Sequence, residues 1–377
     1  MKPNKPKANI IIFFVLLLLL PIVTIILPKK EFSENENRYL EEFPKPTLSS
    51  IKDKSFMSNF ESFFSDHFVF REGWIQLKNQ MELAINKKEI NGVYLTKDRL
   101  IEHQTISDNG LAVENMEAIN AFTKKYGLSS SLMIVPSAEG IYTDDLPANA
   151  PHLNQKAIIE QIYAKAAKEV SCIDVFTPLL SAKKQYIYYN TDHHWTSLGA
   201  YNGYFSSASA LGFSALGLDK FNVEHASHSF QGTLYSKTLY NGIEPDTIDL
   251  YHLSTNDPSV TVTVKSGSKQ TEYSSIFFRD YLDKKDKYCT YMGQNEPFVS
   301  VKTKAGNGKK LLIVKDSYAH SMIQFYMHHY SEITMIDLRY FTSLDQYIDI
   351  DDYDQVLFVY SFASMTGDTN IKKLARF

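Results

Sequence analysis

Apolar positions along the chain follow several regimes. Ile10 to Leu27 is an apolar stretch without a charged residue. At about 1.5 Å per helical residue it spans roughly 27 Å, just enough for a bilayer core. From about Ser55 to Lys88, Phe56, Phe60, Phe63 and Phe64, then Leu77, Met81 and Ala84, recur at three- and four-residue intervals. That spacing predicts amphipathic helices broken near Phe68-Val69-Phe70-Arg71. Beyond residue 91, short apolar runs alternate with helical spacing. Strands are expected at Val93-Tyr94-Leu95 and Leu132 to Pro136, with a helix from about Val113 to Tyr126 between them. A helix Gln155 to Lys168, a strand Cys172 to Val175 and a helix Ser197 to Leu211 continue the alternation expected of a parallel sheet. Residues 220 to 305 carry frequent turn residues and period-two runs such as Ser259-Val260-Thr261-Val262-Thr263-Val264, which predict an antiparallel insert. The α/β alternation resumes with a strand at 311–314, a helix to about Tyr330, and strands Ile333 to Ile336 and Val356 to Tyr360.

The amino terminus bears on compartment. Lys2, Lys5 and Lys7 precede the apolar span. A cleaved signal peptide competes with an uncleaved anchor. The span is longer than a usual signal-peptide core, Thr24 to Lys30 offers no small-x-small cleavage site, and no cysteine follows to make a lipoprotein. The expectation is a single-pass signal anchor in the cell membrane with the remainder extracytoplasmic, although Lys29 and Lys30 reduce the charge asymmetry. Glu31, Glu34, Glu36, Glu41 and Glu42, with Pro44 and Pro46, read as a solvated juxtamembrane stalk. A formal net charge of −4 gives no electrostatic case for nucleic acid. The two cysteines, Cys172 and Cys289, either pair in an oxidising compartment or stay single and buried.

Candidate chemistry concentrates in Asn190-Thr191-Asp192-His193-His194-Trp195-Thr196. On an extended strand, residues i and i+2 share a face, so Asp192 and His194 are expected to point one way and His193 the other. A carboxylate orienting an imidazole is the base half of a nucleophilic triad. A nucleophile is available at Ser317, where the apolar run Leu311 to Val314 turns into residues Tyr318, Met322, Phe325 and Tyr326 at helical spacing. A serine there sits at the carboxyl edge of a sheet, beside free N–H groups that could hold an oxyanion. Ser317 N–H is the first choice as donor. Three other readings compete. Ser317 could be only an N-cap. Asp192, His193 and His194 could ligate a metal, although diverging strand positions argue against convergence. Asp349-Ile350-Asp351 has a metal-type spacing, but it lies before a strand in an acid-rich segment and reads as a solvated loop. An anchored α/β domain could also be a non-catalytic scaffold in surface-polymer assembly. The preferred site is Asp192, His194 and Ser317, with neither metal nor cofactor.

Asp192-His193-His194-Trp195, followed by Thr196-Ser197-Leu198-Gly199-Ala200-Tyr201, resembles the signature of the DHHW family of Gram-positive surface proteins. That family is similar to the SGNH-hydrolase-like domains of alginate-type polysaccharide O-acetyltransferases. Asn91-Gly92-Val93-Tyr94-Leu95, Ile134-Val135-Pro136-Ser137, Gly232-Thr233-Leu234-Tyr235-Ser236-Lys237 and Lys315-Asp316-Ser317-Tyr318 extend the resemblance over about residues 35 to 377. It implies a three-layer α/β fold with a parallel sheet, circularly permuted relative to ordinary SGNH enzymes, because the Asp/His pair precedes the serine. Lys315-Asp316-Ser317 stands where ordinary SGNH esterases have Gly-Asp-Ser. Gly293 and Asn295 are further oxyanion candidates only because Gly293-Gln294-Asn295 resembles the Gly-x-Asn of SGNH enzymes. The implied organisation is a cytoplasmic tail at 1–9, a transmembrane signal anchor at 10–27, stalk and amphipathic helices at 28–90, and a catalytic domain at 91–377 with a β-rich insert at about 220–305. The implied activity is O-acyl transfer, acetyl above all, to a cell-surface polysaccharide, with carbohydrate esterase as the alternative. A multispanning membrane-bound O-acyltransferase is the implied partner.

Overall fold

The computed structural model describes residues 5–33, 38–108, 110–304, 308–340 and 348–377. Lys2, Glu34 and Glu36, named above, lie outside that set. The chain forms two compact units, one of Met1–Ile90 with Ser236–Tyr240 and the other of Asn91–Tyr235 with Asn241–Phe377.

The smaller unit is helical. Helix α1 (Lys5–Ile26) contains one segment, Lys7–Ile26, with mean hydropathy 3.0 and almost no burial. It is long and apolar enough to cross a membrane, and it fits either a membrane anchor or a signal sequence. Helices α2 (Ser55–Asp66) and α3 (Arg71–Ala84) follow. They are separated where the sequence predicts, and Phe70 takes the break at φ 57, a left-handed conformation that an interior helical residue does not adopt.

In the larger unit a short hairpin, β1 (Val93–Leu95) and β2 (Leu100–Glu102), precedes helix α4 (Leu111–Tyr126). Strand β3 (Ser129–Val135), helix α5 (Gln155–Tyr163), strand β4 (Val170–Ile173) and helix α6 (Ser197–Leu211) come next. Helix α6 starts where Thr196 accepts the Gly199 N–H at 3.2 Å and ends at Gly212 in the left-handed region. Then follow β5 (Phe221–Phe230), β6 (Asp246–Leu253), β7 (Val260–Ser266), β8 (Lys269–Tyr273), β9 (Phe298–Thr303), β10 (Lys310–Lys315), β11 (Glu332–Ile336) and β12 (Gln355–Ser361).

Eight strands form one sheet in the order β8-β7-β9-β11-β10-β12-β3-β4. From β11 to β4 all neighbours are parallel, with Ile313 of β10 facing Met335 of β11 and Leu357 of β12. Helices cover this part, so β12 is buried along its whole length and β10 everywhere but its first residue. That explains their continuous apolar composition. The insert differs from the expectation in one respect. Strands β5 and β6 pair apart, but β7, β8 and β9 add antiparallel strands to the edge of the main sheet. Period-two alternation reports a half-exposed strand and says nothing about which sheet it joins.

Chain order runs outward from β3 to β4 and, later, from β10 to β11 in the opposite direction, with β12 filling the gap. The carboxyl ends of β3, β12 and β10 therefore surround a topological switch point, the crevice where open α/β sheets hold ligands.

Candidate active site

Ser317 follows β10 by two residues and is partly exposed. The turn behind it is held by Asp316, which caps it by accepting the Tyr318 N–H at 3.0 Å on one oxygen and the Ser361 N–H at 2.8 Å on the other. Ser317 is thus not the N-cap. The helix predicted from here to Tyr330 is replaced by a 3-10 turn, Ser317–Met322, and one α-helical turn, Ile323–Tyr326. Among the described residues, the Ser317 N–H has no hydrogen-bond acceptor.

His194 reaches this serine, with its Nε2 2.7 Å from Ser317 Oγ. Its Nδ1 is 2.6 Å from Asp192 Oδ1. These partners assign the tautomer: Nδ1–H donates to the carboxylate, and Nε2 accepts from the serine hydroxyl. The structure brings Asp192, His194 and Ser317 together, but not through an extended strand. Residues 190–194 form a bent loop closed by an isolated bridge between Tyr188 and Trp195. His193 does not turn to an opposite face; its ring lies 3.9 Å from that of His194, and its Nδ1 is 3.8 Å from Asp192 Oδ2. The divergence argument against a metal fails for the same reason, since one donor atom from each of Asp192, His193 and His194 lies within 4.8 Å of the others. Asp192 and His194 already carry hydrogen bonds, however, and whichever oxygen or nitrogen of theirs ligated a cation would give up the bond it makes.

Asp192 is buried and accepts four hydrogen bonds. Besides His194 Nδ1–H, Oδ1 accepts the His194 backbone N–H at 3.0 Å, while Oδ2 accepts the Thr233 N–H at 2.7 Å and the Thr233 hydroxyl at 2.9 Å. Burial alone would raise its pKa. The opposing effects of His193, His194 and the Thr233 N–H prevail and hold the carboxyl well below the usual carboxylate range. Gly232 is required beside it, because a Cβ there would lie 2.3 Å from Asp192 Cβ. A second buried acid, Asp246 at the start of β6, secures the loop by accepting the backbone N–H groups of Asn190 and Thr191 at 2.7 Å each.

Tyr288 completes the surroundings. Its ring stacks on that of His194 with centroids 3.8 Å apart and planes 7° off parallel. Its hydroxyl donates to the Ser317 carbonyl at 3.0 Å. Sequence reasoning assigned no role to Tyr288, Thr233 or Asp246. For Thr233 a signal existed in the Gly232-Thr233 block; for the others there was none.

The remaining candidates fall elsewhere. The Gly293 N–H donates to the Cys289 carbonyl at 3.0 Å and is therefore already engaged. Asn295 turns its Oδ1 to Lys315 Nζ at 3.1 Å. Lys315 itself is buried, with His320 Nε2 at 2.7 Å and Asp337 Oδ2 at 3.5 Å. Burial pushes its ammonium down to about 8, although Asp337 opposes the shift. Asp349 caps a 3-10 turn ahead of β12, at the amino edge of the sheet. Cys172 and Cys289 are unpaired.

Beside the triad, the carboxyl ends of β3 and β12 border a small recess of about 30 Å³, lined by Ser137, Ser361, Tyr318, His193 and Gln104 among others. A serine, a histidine and an acid thus stand in hydrogen-bonded series at the switch point of a largely parallel α/β sheet. The chain belongs to the DHHW family, whose sequence profile it matches over residues 98–336. Among solved structures it is similar to a DHHW family protein from Eubacterium siraeum, 27% identical, covering 76% of this chain and 96% of that one at a TM-score of 0.64. Bacillus cereus PatB1 shares the fold at 20% identity, covering 75% of this chain and 99% of its own, TM-score 0.64. A PatB1 structure with a sulfonyl adduct aligns at 19% identity over 73% and 97% of the two chains, TM-score 0.61. No curated protein sequence matches significantly.

Proposed function

We propose that this protein is a membrane-anchored, extracytoplasmic O-acyltransferase that passes an acetyl group through an ester on Ser317 to a hydroxyl of a cell-surface polysaccharide. The observation that carries the reading is His194, bonded to Asp192 on one nitrogen and to Ser317 on the other at 2.6 and 2.7 Å. Ser317 Oγ attacks the ester carbonyl of the donor while His194 Nε2 takes its proton; Asp192 holds the imidazolium that results. The tetrahedral oxyanion is met by the free Ser317 N–H. Collapse expels the donor alkoxide, which takes the proton from His194. An acceptor hydroxyl then gives its proton to His194 and attacks the acyl-enzyme, and Ser317 leaves with that proton restored. The acyl donor is supplied across the membrane by a multispanning O-acyltransferase, and α1 keeps the domain at that surface.

The test uses the full-length protein in detergent with p-nitrophenyl acetate. Wild type should release p-nitrophenol, Ser317→Ala and His194→Ala should each lose on the order of 10³-fold or more in kcat, and intact-mass spectrometry should find one acetyl on Ser317. Activity that survives Ser317→Ala but stops with a chelator would replace this reading with a metal-dependent one. Turnover to water with no transfer to any glycan would leave an esterase. For the topology, protease added to intact cells should remove the domain, and complete protection would reverse the orientation.

A further inference from the structure

At the edge of the sheet, the residues around Tyr273 to Tyr281 and Met292 to Glu296 line an open groove of about 560 Å³. We propose that this groove binds the polysaccharide itself, as an extended subsite for neutral or amine-bearing sugars and against acidic ones. The proposal deepens the functional reading above and rests on it for the acceptor's chemical class.

The shape and lining suit a sugar chain. Tyr273 at the end of β8 and Phe278 pack with ring centroids 4.4 Å apart, and Tyr273 is 42% exposed. Tyr281, partly exposed, also lines the groove, with one ring face covered by Lys284 Nζ at 4.3 Å from its centroid and the other left for a sugar. Aromatic faces offer sugar rings an apolar platform, while the tyrosine hydroxyls and the polar rim supply hydrogen bonds. Gly293 packs directly against the Phe278 ring. Met292 and Gly293 take φ 65 and 82, and a Cβ on Gly293 would lie 2.9 Å from the Phe278 ring.

The rim sets the charge preference. Glu272, Asp280 and Glu296 line the groove together with Lys284 and Arg279. Arg279 already meets Glu224 with two bonds of 2.7 and 2.6 Å, which leaves carboxylates in excess. A polyanionic chain would be repelled there, whereas a neutral or aminated one would not.

Continuity with the triad supports a role in the same reaction. The groove floor is tied to the Tyr288–Met292 segment by the Phe278 N–H donating to the Thr290 carbonyl at 2.8 Å and the Met292 N–H donating to the Ile276 carbonyl at 3.0 Å. Four residues before Met292, the same segment places Tyr288 on His194.

Binding is measured by calorimetry on full-length Ser317→Ala, so that it does not depend on turnover. The probes are a hexamer of N-acetylglucosamine, the same hexamer de-N-acetylated, and a hexamer of galacturonate. The expected result is binding of the first two and not the third, weakened about tenfold by Tyr273→Ala and separately by Tyr281→Ala, the scale of one aromatic contact. Glu272→Gln with Asp280→Asn should narrow the gap between aminated and acidic probes. Near-ultraviolet circular dichroism verifies that each variant keeps its fold, and two exposed positions are used so that one misfolded variant does not decide the matter. Binding of none of the probes, equal binding of galacturonate, or unchanged affinity in both folded tyrosine variants would overturn the proposal. Failure of the catalytic reading would show separately, as absent ester turnover in the wild type.

Discussion

Gly232→Ala adds one methyl group at the back of the triad, and the structure sets the size of its effect. The new Cβ would lie 2.3 Å from Asp192 Cβ and 2.4 Å from its Oδ2. Non-bonded carbons settle at about 3.5–4.0 Å, so Asp192 and residue 232 must separate by a little over ~1 Å. The neighbouring Thr233 holds the same Oδ2 by its N–H at 2.7 Å and its hydroxyl at 2.9 Å, so the separation strains both bonds. It also draws Oδ1 off His194. A misplacement of about 1 Å in a reacting constellation costs on the order of 100-fold in rate, and overpacking typically costs about 1–3 kcal/mol in stability. The assay is kcat for p-nitrophenyl acetate, with thermal unfolding run in parallel. The expected outcome is a fall in kcat of about 100-fold with the cooperative transition retained a few degrees lower. Gly73→Ala in α3, where an added Cβ meets nothing within 4 Å, is the control and should keep full activity. A Gly232→Ala protein with wild-type kcat would refute the claim that the close approach at Asp192 sets the geometry of the base.

Tyr288→Phe keeps the ring stacked on His194 but removes the hydroxyl that donates to the Ser317 carbonyl; kcat should fall less than in Tyr288→Ala, and equal losses would mean that the stack contributes nothing. Thr233→Val removes one hydrogen bond to the ionised Asp192 and should cost about 1.5–3 kcal/mol in chemical denaturation at neutral pH, against no change if Oδ2 re-pairs with water. Lys315→Met addresses a depressed pKa. The native ammonium loses its proton near 8, the unfolded one near about 10.4, so between these values the unfolded chain binds more protons and the wild type gains stability as pH rises. The variant lacks that gain; the difference in unfolding free energy between the two proteins should change by on the order of 3 kcal/mol across the window, and a flat difference would refute the assignment.

The elements with one buried face or a continuous apolar run were legible in the sequence: α4, α6, β10 and β12 stand within a few residues of where the spacing puts them. The segment after Ser317 was not. Residues Tyr318 to Tyr326 are buried on every side, so apolar spacing there fits a 3-10 turn as well as an α-helix. Asp192, His194 and Ser317 were expected together, and the structure brings them together, but the strand reasoning behind that expectation does not describe the bent loop that achieves it. Thr233 and Asp246 reach Asp192 and Thr191 from 41 and 55 residues away, and contacts at that separation leave no periodic trace in a chain. Gly293 and Asn295 matched a short pattern, yet their polar groups serve Cys289 and Lys315, as turn and cluster residues commonly do.

The tethering of the 190–194 loop by Asp246 and Thr233 couples reactivity to the integrity of the whole domain. The imidazole-bearing loop takes its shape from residues synthesised after it, and the serine it serves is made 123 residues later. A chain not yet made past residue 246 therefore carries Asp192 and His194 on a loop that lacks the Thr233 and Asp246 contacts, with no Ser317 hydroxyl beside the imidazole. A mature domain whose 230–246 stretch detaches would lose its base before it lost its sheet.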